Sequence, residues 1–151
     1  MWRRRSPTTV FAALVLAGQA ARGWTMLFDV TAHCYYAVPP DWKVDEPSET
    51  SNGLAISPDG AVTASIRWSP QTWTRATAEL RGLSQPKQVH DDTERRYWIE
   101  VTEPQQRTLH VAVIPATPGG ACTIEVEAAR SGRADHRAII PTLLGTLGSR
   151  R

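Results

Sequence analysis

The densest run of side chains able to hold a proton or a cation is His90-Asp91-Asp92, with Glu94 close behind. An imidazole and three carboxylates so near one another could ligate a cation. Calcium loops, however, need several oxygen ligands in regular alternation around a glycine, and this run has neither. It reads as a solvated turn. His110 and His136 each stand alone beside apolar residues and read as surface or packed side chains. Glu100, Glu125 and Glu127 occupy alternate positions of strand-like runs, which assigns them to a polar sheet face rather than to a catalytic carboxylate pair. The sequence contains no Gly-x-Ser-x-Gly, no glycine-rich phosphate loop and no His-x-x-x-His spacing. These residues point to a chain that is not an enzyme and carries no cofactor and no metal.

Binding chemistry is better represented. Trp98 shares its strand parity with Glu100 and should stand on the polar face, where a large ring is unusual. An aromatic anchor ringed by polar groups is the usual make-up of an interface hot spot. The alternative is that a helix covers that face and Trp98 is core. Asp45, Glu46 and Glu49 give a second region an acidic character, suited either to a basic groove on a partner or to a solvated loop.

Two cysteines complete the reactive inventory. Cys34 shares parity with Tyr36 and Val38, and Cys122 with Ile124 and Val126, so both should face one core. In an oxidising compartment that placement favours a disulfide; two buried free thiols are the alternative.

The compartment is argued from the first twenty residues. Arg3, Arg4 and Arg5 precede the apolar run VFAALVL at 10–16, and Gly18-Gln19-Ala20 supplies the small residues of a cleavage point. This is the anatomy of a secretory signal peptide, too short to span a bilayer as a membrane helix; a retained anchor or a buried core helix is the alternative. Residues 1–20 are accordingly expected to be removed, leaving 21–151 as one periplasmic or secreted domain with no membrane insertion. The whole chain has 17 Lys+Arg and 15 Asp+Glu; taking away the three arginines of the signal leaves 14 against 15, a net charge of −1. So balanced a surface gives no electrostatic basis for nucleic-acid binding. A hydrophobic content of 41% with 21% charged residues places the remainder among ordinary globular domains.

The elements that must position these groups are mostly strands. Residues 25–30 and 34–38 alternate in polarity, and Leu54 to Ser57 and Ala61 to Trp68 flank Pro58-Asp59-Gly60, a hairpin signal because glycine supplies the positive φ. Ser69-Pro70 reads as a helix cap with proline at the first helical position. The stripe Trp73, Ala76, Leu80 and Leu83 follows it at helical spacing. Strands centred on Ile99, Val111 and Ile124 come next, and residues 135–147 form a closing apolar-periodic segment, read as one helix kinked at Pro141. That order implies an α+β fold, an antiparallel sheet with packed helices, with one sheet face buried and one polar.

The segment YYAVPPDWKV at 35–44 resembles the first strand, Pro-Pro-x-Trp turn and second strand of the PsbP-like (Mog-type) family. Gly53-Leu54, the mid-chain helix, the Tyr97-Trp98 strand, the turn at Pro118-Gly119-Gly120 and the closing helix follow in the family's order. Known members mostly bind other proteins, among them a photosystem accessory subunit, a nuclear-transport factor, chaperones and type VI secretion immunity proteins. The resemblance therefore implies a protein-binding module whose partner is another protein, and its most concrete form is an immunity-type inhibitor that occludes an envelope-acting secreted toxin or effector. A binder of small molecules or cell-wall fragments, and an accessory subunit of an envelope complex, are the alternatives. No shared ligand set exists from which a site residue could be carried over. Physically, Pro39 and Pro40 end a strand without starting a helix, leaving Trp42 to fold over the end of the core.

Overall fold

In the computed structural model, residues 22–45, 52–129 and 134–150 are described. The segment at 1–20 expected to be a signal peptide, Glu46, Glu49 and the side chain of His136 lie outside the described residues.

Proline placement and strand alternation divide the chain into two antiparallel sheets. β1 (Thr25–Phe28), β2 (Cys34–Val38) and β10 (Gly148–Ser149) form a small sheet with β2 in the middle. Pro39 and Pro40 stop β2, the Trp42 amide donates to the Pro39 carbonyl at 3.2 Å, and the chain crosses to the larger sheet. That sheet runs β3 (Lys43–Val44), β4 (Ala55–Ile56), β5 (Val62–Ser69), β9 (Ala121–Ala129), β8 (Arg107–Pro115), β7 (Tyr97–Glu103) and β6 (Lys87–Asp92) in spatial order. The proline pair thus lets one extended segment serve two sheets. Trp42, 5% exposed, closes the core between them.

The β4–β5 hairpin turns at Ser57-Pro58-Asp59-Gly60, with Gly60 at φ +72° as the Asp-Gly signal requires. α1 (Trp73–Arg81) begins later than Ser69-Pro70 suggests. Ser69 is held in the β5 ladder opposite Ala121, so the cap falls to Thr72, whose side chain accepts from the Arg75 amide. The closing helix, α2 (Ala134–Gly145), runs unbroken through Pro141.

Both faces of the central strands are covered, against the expectation of one polar face. α1 lays Ala76, Trp73 and Leu80 on Tyr97, Ile99, Val111 and Val113. On the other face, Ile140, Leu143 and Leu144 of α2 join Tyr36 and Val38 of the small sheet over Ile124, Val126 and Ala112. Alternation on β8 and β9 marks two different cores, not core against solvent. The sheets are stitched by a Cys34–Cys122 disulfide and by Tyr36, whose buried hydroxyl donates to the Gly53 carbonyl at 2.5 Å. Burial raises the Tyr36 phenol far above its ordinary value, so it stays protonated and keeps donating.

Candidate functional site

The run read as a turn, 90–92, is strand: β6 pairs with β7 along the sheet edge. Its ladder shifts register between Val89, opposite Ile99, and Asp91, opposite Trp98, so His90 is the extra residue of a β-bulge. Gln88 lies opposite Glu100, so His90, two residues on, falls on the face that carries Trp98 and Glu100, and the bulge seats it beside Trp98 while Asp91 takes the paired position. On the inner side, β7 and β8 are joined by a hairpin with Gln105 and Gln106 at positive φ, and its register sets Glu100 opposite His110. Three strands thereby bring two histidines, a glutamate and a tryptophan onto one patch.

The contacts are specific. The His90 ring stacks on Trp98 at 4.4 Å between centroids and 21° between planes, and His90 Nε2 lies 2.7 Å from Glu100 Oε2. Trp98 Nε1, which can only donate, donates to His110 Nδ1 at 3.2 Å. That bond assigns the His110 proton to Nε2. Burial lowers the pKa of His110, the Glu100 carboxylate works against this, and His90 adds to it. The imidazole of His110 is therefore neutral at pH 7. Behind Trp98, Arg96 lies 5.7 Å from the ring and pairs with Asp91 at 2.7 Å. Trp98 is pinned on three sides.

This patch floors a cleft of about 460 Å³, extended by Thr102 and Thr108 and walled by Ile140 and Pro141 of α2. A second cleft, about 340 Å³, lies between the Trp68 end of β5 and Glu79 and Leu80 of α1, without a comparable cluster. Trp98 is half-buried beside the α2 core, with its ring bordering the cleft, so the two readings of it meet: core on one side, binding surface on the other.

The remaining sequence candidates sit elsewhere. Asp45 is exposed just past β3, at the opposite edge of the large sheet. Five strand spacings separate β3 from β7, roughly 24 Å along the sheet. Glu125 and Glu127 lie on the α1 face, paired with Arg67 at 3.3 Å and with Arg107, whereas Glu100 lies on the α2 face. Glu100 therefore stands apart from the other two, a correction to the single polar face. His110, read as isolated, belongs to the cluster. Near β1, Asp29 accepts from the Thr31 hydroxyl and from the Thr31 and Cys34 amides. The Thr31 proton is thus committed to Asp29, and His33 Nδ1 can only donate to that oxygen, a loop brace rather than a nucleophile with its base.

No family model matches the sequence, and no curated protein matches it. Solved structures do. Cyanobacterial PsbP (CyanoP) from Synechocystis sp. PCC 6803 superposes with a TM-score of 0.53 at 13% identity, covering 84% of this chain and 92% of that one. A protein from Bacteroides thetaiotaomicron VPI-5482 gives 0.58 at 18% identity over 83% of this chain; the match spans 48% of that longer chain. The Saccharomyces cerevisiae Ran-binding protein Mog1p gives 0.48 at 10% identity, over 84% and 95% of the two chains.

The fold is PsbP-like. At these identities the likeness carries architecture and no residue roles. Within the PsbP-like frame, the His90–Glu100–His110 patch is a property of this chain's own side chains and of the three-strand register that gathers them.

Proposed function

We propose that this protein is an exported, non-catalytic protein-binding module whose contact surface is the mouth of the Trp98 cleft. Its partner is a secreted toxin or effector that it occludes as an immunity-type inhibitor. One observation carries the reading: a half-exposed tryptophan, locked by a stack on His90 and a hydrogen bond to His110, borders an open cleft among polar side chains. A preorganised aromatic at a cleft mouth loses little side-chain entropy on docking, which is why such residues dominate interface energetics. Export is supported by the arginines and apolar run of residues 1–20, and by a disulfide of the kind that persists in oxidising compartments.

The test is affinity capture from envelope extracts with the purified protein as bait. Trp98→Ala removes the anchor but also disturbs the α2 core, so Thr102→Arg, at an exposed position bordering the cleft, is its companion. Loss of a stoichiometric partner with Thr102→Arg at unchanged melting temperature supports the proposal. Full capture by both variants refutes it. The cleft volume of about 460 Å³ also suits a small ligand or cell-wall fragment. Under that second reading, a glycan or small apolar compound raises the melting temperature of the wild type and not of Thr102→Arg.

A further inference from the structure

We propose that His90, Glu100 and His110 form a binding site for one divalent transition-metal ion of the zinc type, open toward the cleft. One donor atom from each residue falls within a triangle whose corners are all within 4.8 Å of one another. A tetrahedral zinc ion with bonds of about 2.0–2.2 Å holds its ligands roughly 3.3 Å apart, so the widest donor pair has to close by at most about 1.5 Å. Two imidazoles and one carboxylate suit zinc and its late first-row neighbours, whereas magnesium and calcium favour all-oxygen sets. Three protein donors leave a fourth position facing the cleft, for water or for a donor from a bound molecule.

The hydrogen bonds already present show how each ligand is freed. Glu100 holds His90 Nε2 at 2.7 Å, in the place the ion would take between them. For Nε2 of His90 to ligate, it has to be free of its proton, which the ring can carry on Nδ1 instead. His110 offers the Nδ1 lone pair to which Trp98 now donates. The metal therefore displaces the Trp98 indole N–H, and the same step ties metal binding to the ring that borders the cleft. This inference stands on the donor geometry and does not require that a protein docks there.

The experiment is calorimetric titration of the purified, chelator-treated protein with zinc chloride, with magnesium and calcium chlorides as comparisons. One zinc per chain is expected at micromolar concentration, and no response to the other two. His90→Ala and Glu100→Gln should each weaken zinc at least about tenfold, and His33→Ala should leave it unchanged. His90 occupies an edge-strand bulge, so His90→Ala is expected to keep the fold, with circular dichroism as the check. Cobalt substitution should give the visible bands of a tetrahedral site. The indole N–H resonance of Trp98, assigned by its loss in Trp98→Phe, should shift when zinc is added. No zinc binding at micromolar concentration, binding that survives both His90→Ala and Glu100→Gln, or binding that leaves the Trp98 resonance in place overturns the proposal.

Discussion

Opening the Cys34–Cys122 disulfide should remove a large share of this domain's stability without changing its fold. The two residues are 88 positions apart. Closing a loop of that length costs the unfolded chain about 4.6 kcal/mol at 25 °C in loop-closure entropy, a cost the bridged chain has already met. Natural crosslinks of this kind contribute about 2–5 kcal/mol in practice, so the expected loss lies toward the top of that range. At about 4 °C per kcal/mol for a domain of this size, the melting temperature should fall by roughly 10–20 °C. The assay is guanidinium unfolding of oxidised protein, reduced protein and the Cys34→Ala/Cys122→Ala variant. Reduction cuts the crosslink and keeps both sulfur atoms in the core, so its effect isolates the chain-entropy part. The double variant adds a small packing loss, because both cysteines are fully buried. The denaturant slope should also rise on reduction, since an uncrosslinked unfolded chain exposes more surface. Reduced protein as stable as oxidised, to within about 0.5 kcal/mol, would refute the argument that the bridge acts through the unfolded state.

Three further outcomes follow from the core and the cleft. Tyr36→Phe removes the buried donor to the Gly53 carbonyl and should cost about 1–3 kcal/mol in chemical denaturation, with circular dichroism unchanged. Trp42→Ala opens the end of the core beneath the proline turn and should cost about 3–5 kcal/mol by the same measurement. His110 is held neutral by burial, with the Glu100 carboxylate favouring its protonation and His90 opposing it. Its folded-state pKa lies below the unfolded-state value of 6.5, so the unfolded chain binds the extra proton first. Stability in chelator should therefore fall as pH drops through 6.5 and keep falling until the folded-state pKa is reached. Melting curves of His110→Asn should lack that component.

Much of the frame was legible because each of its signals has a single local cause. Pro39-Pro40 can only break a strand, Asp59-Gly60 favours a tight turn, and the parity of Cys34 and Cys122 set both sulfur atoms toward one core. The parts that escaped depend on partners far along the chain. Lys87 to Asp92 is too polar to announce a strand, and β7 alone, through its ladder, makes it one. Alternation on β8 and β9 looks the same whether the second face meets water or α1. Ser69 has the chemistry of a helix cap, and its pairing with Ala121 denies it the role. The candidate site combines both kinds of feature. Glu100 opposite His110 could have been counted outward from the turn at 104–106, since Glu103 pairs with Arg107. His90 could not, because its strand is too polar to announce itself and the register shift that seats it beside Trp98 leaves no mark in residue type.

Site-specific photo-crosslinking reads out whether a partner docks at the Trp98 cleft. A photoreactive side chain is placed at Thr102, bordering the cleft, or at Asp45, on the opposite edge of the sheet, and each protein is irradiated with its captured partner. A covalent adduct from position 102 and none from position 45 is the expected result. An adduct from position 45 alone, with the partner still captured, would place docking at the β3 edge and rule out the Trp98 cleft as the contact surface.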